Sequence, residues 1–308
     1  MIIREAIAQG SADLKFAGIK TPGLDASLLL AYILKTTRTV LIAAGTDSLS
    51  EKASAEYCNL IERRCNGECV AYIIGKKEFR GLEFEVNPSV LVPRPDTEIL
   101  VETAFYQLTI NNEQLAIKRG KFKAGNGNKD RVRVLELCTG SGAVAIALKN
   151  EMPELEVYAT DISAEALEIA KKNAERLLPG NDIRFYHGDL YNALPNSLLI
   201  AHCSEPKVRL LIANPPYIPT HEIDTLSPEV QTEPRIALDG GIDGLDIIRR
   251  IISGAPEYLM KGGMLLMEAD PHQMNDITIL LEKRGFKDIQ LYKDLSDSER
   301  VIGGTYYE

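Results

Sequence analysis

From residue 132 onward the sequence alternates short apolar segments with longer amphipathic ones, and this alternation restricts the fold more than any other feature. The short segments predict seven β-strands, over 132–137, 155–160, 183–186, 210–213, 264–268, 288–292 and 300–303. The longer segments predict helices over 143–150, 164–177, 245–260 and 272–284. Strands that alternate with helices are typical of parallel sheets, so we predict an α/β fold with a doubly wound, mostly parallel sheet.

The N-terminal part of the chain has a different pattern. Residues 1–75 predict a small helical domain, because apolar residues recur at helical spacing between proline, glycine and serine boundaries. This part holds no cluster of ionisable side chains, which favours docking of a substrate over chemistry. Strict alternation at Leu82, Phe84 and Val86 then predicts a β-hairpin. The expected organisation is a helical docking domain at 1–75, a hairpin linker at 76–92 and the α/β domain at 93–308.

Composition narrows the class of protein. The chain has 308 residues, a net charge of -9 and a pI near 5.2, which disfavours general binding to nucleic acid. No apolar run reaches the roughly 20 residues of a membrane helix, and the N-terminus lacks the pattern of a signal peptide. We therefore expect a cytoplasmic protein with no membrane partner, and a monomer.

The cysteines and the basic residues each have a simple interpretation. Five cysteines without a Cys-x-x-Cys pair indicate reduced thiols. Cys58, Cys65 and Cys69 have no histidine nearby, so no metal site is predicted. Basic residues crowd the stretch from Lys118 to Arg133 around glycines and asparagines, and a solvated loop is the expected structure there.

A glycine-rich turn joins the first strand of the predicted sheet to its helix. Gly140 and Gly142 allow backbone conformations that a side chain would block, so a ligand can approach closely. Asp161 ends the second strand about 20 residues further on, where a carboxylate can bind both hydroxyls of a ribose. The same glycines also fit the dinucleotide pattern, which keeps NAD as an alternative cofactor. Glu136 favours a cationic ligand instead, because a carboxylate at this place repels a pyrophosphate.

The fourth predicted strand ends in Asn214-Pro215-Pro216-Tyr217. The prolines cannot continue a β-ladder, so the chain turns at the carboxyl end of the strand, where ligands bind in open α/β sheets. The Asn214 carboxamide and the Pro215 carbonyl offer two acceptors there, and Tyr217 a ring, for a planar NH2 group. Hydrogen bonds to both N–H would hold this weak nucleophile for attack and favour the positive charge that develops on it. The alternative is an ordinary strand-to-loop turn.

Together these motifs resemble those of class I S-adenosylmethionine (SAM) methyltransferases. More specifically, they resemble the HemK/PrmC family, which methylates the glutamine of the Gly-Gly-Gln motif in peptide-chain release factors. The resemblance extends over nearly the whole chain and is carried by Asp25-Ala26-x-x-Leu29-Leu30, Gly67-Glu68, Ala71-Tyr72-Ile73, Glu78-Phe79, Pro93-Arg94-Pro95-Asp96-Thr97-Glu98, Asn214-Pro215-Pro216-Tyr217, Glu233-Pro234, Ala237-Leu238 and Gly240-Gly241-x-Asp243-Gly244-Leu245-Asp246. Two positions depart from the family pattern: Cys138 stands where glycine is usual, and Glu268-Ala269-Asp270 replaces Glu-x-Gly.

The resemblance implies a Rossmann-like, seven-stranded methyltransferase domain that uses SAM and leaves S-adenosylhomocysteine. The cofactor-binding residues that it implies are Glu136, Cys138, Thr139, Gly140, Ser141, Gly142, Asp161, Ile162, Asp189, Leu190 and Asn214. The residues implied for substrate binding are Asn214, Pro215, Pro216, Tyr217 and Arg94, of which the first four are also the catalytic set. The expected reaction is direct transfer of a methyl group to the glutamine side-chain nitrogen (N5), with release factors as the protein partner and the helical domain presenting them.

Three alternatives remain at this point. A nucleic-acid amino methyltransferase, acting on adenine N6 or guanine N2, faces the same chemical problem, but it must extrude a base and bind an anionic backbone. A NAD-dependent dehydrogenase lacks a convincing set of residues for hydride transfer. A non-catalytic factor-binding protein that keeps SAM for structure is disfavoured by the intact Asn-Pro-Pro-Tyr motif.

Overall fold

The computed structural model describes residues 1–119, 132–180, 182–195 and 207–307. The predicted basic loop between Lys118 and Arg133 lies, at 120–131, outside the described residues. The chain divides into two compact units, Met1–Lys76 with Leu226–Glu233, and Lys77–Thr225 with Pro234–Glu308. No helix in the described ranges is long and apolar enough to cross a membrane.

The first unit is helical. Its helices are α1 (Ile3–Phe16), α2 (Pro22–Ile33), α3 (Arg38–Ala43), α4 (Glu51–Cys65) and α5 (Val70–Ile74). The boundaries follow local chemistry, because Pro22 begins α2 and the Ser50 hydroxyl caps α4 by accepting a hydrogen bond from the Ala53 N–H at 3.1 Å. Leu14, Leu29 and Tyr57 are among the side chains that fill the core of this unit.

A later segment of the chain belongs to this helical unit. Leu226–Glu233, which includes the short helix α9 (Pro228–Gln231), lies beyond Tyr217 in sequence. Arg64, with 1% of its surface exposed, holds it through an ion pair with Glu229. The same guanidinium pairs with Asp25 at 2.8 Å and donates to the Glu68 carbonyl at 3.2 Å. From the sequence, 226–233 was placed in the α/β domain. Glu229 lies 165 residues from Arg64, so no local sequence pattern reveals that the two residues pair.

The second unit contains a two-stranded sheet and a seven-stranded sheet. The small sheet is the hairpin β1 (Lys76–Phe79) and β2 (Leu82–Glu85). The strands of the large sheet are β3 (Arg133–Leu137), β4 (Glu156–Asp161), β5 (Ile183–His187), β6 (Val208–Ala213), β7 (Leu259–Glu268), β8 (Phe286–Lys293) and β9 (Glu299–Tyr306). Their order is β5-β4-β3-β6-β7-β9-β8, with β9 antiparallel to both of its neighbours and the other pairs parallel. The predicted doubly wound, mostly parallel fold is confirmed.

Helices cover both faces of the large sheet. They are α6 (Glu98–Arg119), α7 (Ala143–Glu151), α8 (Ala164–Leu177), α10 (Asp246–Tyr258) and α11 (Met274–Lys283). Successive strand residues face opposite sides, so Val134 packs in one core cluster with residues of α6 and α7, whereas Leu135 packs in the other with residues of α10 and α11. Both faces are buried, which explains why the strands are continuous apolar runs in the sequence.

The predicted end of one helix conflicts with a strand. The sequence pattern extended the third predicted helix, 245–260, to residue 260, whereas α10 ends at Tyr258 and β7 begins at Leu259. Leu259 pairs with Val208 of β6, so it takes an extended conformation. Tertiary strand pairing therefore overrides the local helical pattern at this position.

Candidate functional site

The carboxyl ends of the central strands lie side by side. Leu137 at the end of β3 pairs with Thr160 of β4 on one side and with Ala213 of β6 on the other. The strand order switches at β3, because β4 and β5 extend the sheet on one side of it and β6 and β7 on the other, and such a switch point is where open α/β sheets bind ligands. Residues that follow these strands border a cavity of about 240 Å³.

Most of the residues singled out from the sequence line this cavity. They are Arg94, Glu136, Cys138, Thr139, Gly140, Ser141, Asp161, Ile162, Asp189, Leu190, Asn214 and Pro216. Gly142, Pro215 and Tyr217 belong to the same loops but are not among the lining residues. Gly142 has φ +81°, which side chains rarely adopt, and a Cβ there would lie 3.2 Å from the Ala170 Cβ, so glycine lets the turn lie against helix α8.

Cys138 begins the glycine-rich turn in a conformation that side chains rarely adopt. Its φ is 60°, in the left-handed region, where a residue with a Cβ is strained by about 1–2 kcal/mol. Burial raises the pKa of its thiol, and the nearby Asp161 and Glu136 carboxylates raise it further. The thiol is therefore protonated at neutral pH, and the backbone conformation explains why glycine suits this position.

We expect Cys138→Gly to raise the free energy of unfolding by about 0.5–1 kcal/mol, because relief of strain exceeds the entropy that glycine adds to the unfolded chain. Urea denaturation followed by circular dichroism measures the difference. Cys138→Ala is the matched control, since it removes the thiol but keeps the strained φ. A glycine variant no more stable than the alanine variant would contradict the assignment of strain.

Glu136 organises the glycine-rich turn. Its side chain is 3% exposed, and Oε2 accepts hydrogen bonds from the Thr139 hydroxyl at 2.6 Å and from the Ala145 N–H at 3.1 Å. The second bond satisfies one of the free N–H groups in the first turn of α7. Burial raises the pKa of Glu136 to about 8, and the two hydrogen bonds oppose this rise. The sequence predicted an acidic group beside the ligand, and the structure shows that the same carboxylate also holds the loop.

Asp161 links the end of β4 to the same turn. Its Oδ2 accepts from the Gly140 N–H at 2.8 Å, and its Oδ1 accepts from the Ser163 N–H at 2.9 Å. Burial raises the pKa of this carboxyl, while the backbone hydrogen bonds lower it. Each oxygen keeps a further lone pair, and Asp161 lines the cavity, so the group can accept from a ligand hydroxyl.

Asp189 has a partner that the sequence did not reveal. Its Oδ2 accepts from Arg250 Nη2 at 2.6 Å, and both side chains are partly exposed at the edge of the cavity. Arg250 lies within α10 in an ordinary pair of arginines, so no motif marks it. Leu190, which follows Asp189, is buried and gives the cavity an apolar surface.

Asn214 has a defined orientation. Its Nδ2 donates to Thr97 Oγ1 at 3.1 Å, which leaves Oδ1 as the remaining acceptor of the carboxamide. Thr97 ends the short 3-10 turn Pro95–Thr97 and is buried against the cavity. In the sequence Thr97 was notable only as part of the Pro93–Glu98 motif, and nothing there marked it as the partner of Asn214.

The Tyr217 hydroxyl donates to Glu268 Oε1 at 3.4 Å. The Tyr217 carbonyl accepts from Gln273 Nε2 at 2.9 Å. Gly244 has φ +75°, and a Cβ there would come within 2.2 Å of the Tyr217 carbonyl oxygen. The Gly240–Leu245 loop therefore needs glycine at Gly244 because the backbone after Asn-Pro-Pro lies against it.

Four of the lining residues that sequence reasoning missed come from one segment. Pro234, Ile236, Ala237 and Asp239 border the cavity and follow directly on the part of the chain that packs with the helical unit. Glu233-Pro234 and Ala237-Leu238 were recognised as motifs, but their position beside the glycine-rich turn needed the structure.

Family models and solved structures agree on the class. A model described as PrmC N-terminal domain matches residues 5–75, and one described as methyltransferase domain matches residues 134–210. A methyltransferase from Pyrococcus furiosus superposes with a TM-score of 0.50 at 17% identity, covering 81% of this chain and 99% of its own. The hMettl16 catalytic domain, in complex with a 3'UTR hairpin, gives a TM-score of 0.52 at 14% identity over 86% of this chain and 84% of its own. The fold and the site thus define a methyltransferase of the Rossmann-like class.

Similar sequences narrow the class to a family. The release factor glutamine methyltransferase of Burkholderia pseudomallei is 38% identical over 285 residues, which is 91% of this chain and 91% of the relative. That of Deinococcus radiodurans is 34% identical over 302 residues, 98% of each chain. The chain belongs to the family of release factor glutamine methyltransferases.

Proposed function

We propose that this protein transfers the methyl group of SAM to the side-chain nitrogen (N5) of the glutamine in the Gly-Gly-Gln motif of peptide-chain release factors. The observation that carries this proposal is the oriented Asn214 carboxamide, whose Nδ2 is bound by Thr97 at the edge of the cavity. A glutamine NH2 needs acceptors, and Asn214 presents Oδ1 because its own NH2 is already engaged. Membership in the release factor glutamine methyltransferase family supports the same substrate.

The lining of the cavity suits SAM. Asp161 is a partly buried carboxylate with lone pairs for ribose hydroxyls, and Leu190 offers apolar surface for the adenine. Glu136 and Asp189 add carboxyl groups that can accept hydrogen bonds from the ligand. SAM supplies an activated methyl group with a neutral thioether as its leaving group. The protein therefore has to align the substrate amide with this methyl group and to polarise the amide.

The residues of this chain act on the nucleophile. Asn214 Oδ1 and the Pro215 carbonyl accept the two N–H of the substrate amide, which fixes the direction of its nitrogen. Both acceptors also favour the positive charge that develops as the N–C bond forms, because they become stronger partners of a more acidic N–H. The nitrogen loses its proton after it is alkylated, so no general base is needed before transfer.

The helical unit has a proposed part in presenting the release factor. A single glutamine side chain offers little binding energy, so contacts elsewhere on the substrate have to deliver it to the cavity. We assign this docking to residues 1–75, and the hairpin at 76–92 is the proposed linker to the methyltransferase domain.

Release factors act during translation, so we propose that the protein works in the cytoplasm.

Intact-mass analysis tests the proposed function. Purified release factor incubated with the protein and SAM should gain one methyl group, and the factor whose Gly-Gly-Gln glutamine is changed to alanine should gain none. DNA and RNA incubated with labelled SAM serve as the counter-test for an amino methyltransferase of nucleic acid. Label in nucleic acid, or persisting in the altered factor, would overturn the proposed substrate.

We expect Asp161→Ala to weaken SAM binding roughly 10- to 150-fold, because a charge-assisted hydrogen bond contributes about 1.5–3 kcal/mol. Isothermal titration calorimetry measures the dissociation constant. Asp182→Ala, at an exposed carboxylate just before β5, is the control and should bind SAM as the unaltered protein does. Tighter binding of NADH than of SAM to the unaltered protein would show that the cofactor is wrong.

A further inference from the structure

Glu268 is a buried carboxyl group that the proposed mechanism does not use. It is the last residue of β7, and Met267 before it pairs with Ala213, the residue that precedes Asn214. Its surface is 2% exposed, and Oε2 has no hydrogen-bond partner within the described part of the chain. Burial of a carboxyl group costs free energy, so its position at the carboxyl end of the strands, close to Asn214, needs an explanation.

Hydrogen bonds connect Glu268 to the substrate-binding carboxamide. The Thr97 hydroxyl, as a hydrogen-bond donor, lowers the pKa of the Glu268 carboxyl group, and the Tyr217 hydroxyl donates to its Oε1 at 3.4 Å. Thr97 Oγ1 in turn accepts from Asn214 Nδ2 at 3.1 Å. The result is a directed relay from Asn214 through Thr97 to Glu268.

The direction of this relay decides what Asn214 shows to a ligand. A hydroxyl has a single hydrogen, so Thr97, while it donates to Glu268, can meet Asn214 only as an acceptor. Asn214 must then turn its NH2 towards Thr97 and its Oδ1 the other way. If Thr97 were free to donate towards Asn214, the flipped carboxamide would be equally stable and would present a second NH2 to the substrate NH2.

We propose that Glu268 is a positioning residue for glutamine methylation, which fixes the acceptor orientation of Asn214 through the Thr97 hydroxyl. This inference rests on the proposed function and deepens it. Glu268 acts through Thr97 and is not assigned a contact with substrate or cofactor.

The charge of Glu268 enforces the relay. Burial raises the pKa of Glu268 to about 7; the Thr97 hydrogen bond, Arg300 and Tyr217 lower it, and Asp96 raises it. Arg300 of β9 lies 3.5 Å from Asp96 as well, so it neutralises part of that repulsion. When ionised, Glu268 can only accept, and the Thr97 hydroxyl must donate to it. When protonated, Glu268 gains an O–H and no longer dictates the direction of the relay.

Other charged groups lie near the relay and have to be separated from Glu268. The charges of Arg94 and Asp270 act on the Tyr217 hydroxyl, where Asp270 raises its pKa and Arg94 lowers it. Glu136, in the glycine-rich turn, also has a pKa raised by burial, to about 8. A pH dependence of the unaltered protein is therefore informative only beside a variant in which Glu268 alone cannot titrate.

The test compares Glu268→Gln with the unaltered protein. Glutamine keeps the shape but can donate to Thr97 Oγ1, which frees the Thr97 hydroxyl to donate to Asn214. We expect kcat for release factor methylation to fall about tenfold or more, with the SAM dissociation constant changed less than about twofold. In the unaltered protein kcat should rise as pH increases through about 7, and Glu268→Gln should lack this step. Glu156→Gln, at a partly buried ion-paired carboxylate of β4, is the matched control and should keep both kcat and the step.

Thr97 provides a second comparison. Thr97→Val has the same shape without the hydroxyl and should lower kcat at least as much as Glu268→Gln. Thr97→Ser retains the hydroxyl and should recover most of the turnover lost in the valine variant. Equal kcat for the two Thr97 variants would overturn the relay even if either variant were less stable.

A spectroscopic measurement does not depend on turnover. The side-chain NH2 resonances of Asn214, identified by their loss in Asn214→Ala, should titrate with an apparent pKa near 7 and should not do so in Glu268→Gln. If the unaltered protein failed to methylate release factors, the proposed function would be wrong and these resonances would still decide the relay. Resonances that do not titrate, or a Glu268→Gln variant with normal kcat and pH profile, would overturn the inference.

Discussion

We expect Asn214→Ala to lower kcat for release factor methylation about 100-fold or more, while the dissociation constant of SAM changes little. Asn214 Oδ1 accepts no hydrogen bond from the residues that the structure describes, since the carboxamide is turned with Nδ2 donating to Thr97 at 3.1 Å. Its removal lets the substrate amide rotate, and the nitrogen lone pair is then rarely directed at the methyl group. Single-turnover methylation of release factor and calorimetry with SAM separate the two effects.

Asn150→Ala is the control for this variant. Asn150 is exposed near the carboxyl end of α7, far along the helix from the turn that borders the cavity. Its replacement should leave kcat within about twofold, as surface substitutions away from a site generally do. Near-native turnover of Asn214→Ala would contradict the catalytic role and would show that Asn214 only forms part of the strand-to-loop turn.

We expect Arg64→Met to destabilise the helical unit by about 3–5 kcal/mol, because it leaves a buried carboxylate without its partner. Asp25 and Glu229 both pair with Arg64, and the Asp25 side chain is 6% exposed. Methionine retains length and apolar packing but supplies no charge. Two compact units need not unfold together, so hydrogen exchange of peptides from α2 and α4 is the appropriate measurement.

Arg63→Met is the control, since Arg63 is the neighbouring residue on α4 and pairs with Glu68 at the surface. The Arg63 side chain is 41% exposed, and a pair in contact with water contributes about 1 kcal/mol or less. Equal loss of hydrogen-exchange protection in both variants would show that the buried Arg64 pair contributes no more to stability than the exposed Arg63 pair. Protection lost outside the helical unit would show that Arg64 stabilises more than the segments it contacts.

The sequence by itself determined the layers of the methyltransferase domain. Short continuous apolar runs such as 210–213 predict strands that are buried on both faces. Because helices alternate with these strands, the sheet is predicted to be parallel. The residues that end these strands, Asp161 and Asn214, were therefore expected at one edge of the sheet. Their convergence on a single cavity follows from parallel strand order, which places carboxyl ends together.

Only the tertiary structure decided which side chains cooperate. Thr97 and Asn214 are 117 residues apart, and Tyr217 and Glu268 are 51 apart, so no local spacing reveals either hydrogen bond. The same holds for Arg64 and Glu229, at a separation of 165 residues. Periodicity and turn chemistry are local and are encoded in neighbouring residues. The direction of a hydrogen bond in a buried relay depends on where packing places side chains from separate elements, and this is known only from the three-dimensional structure.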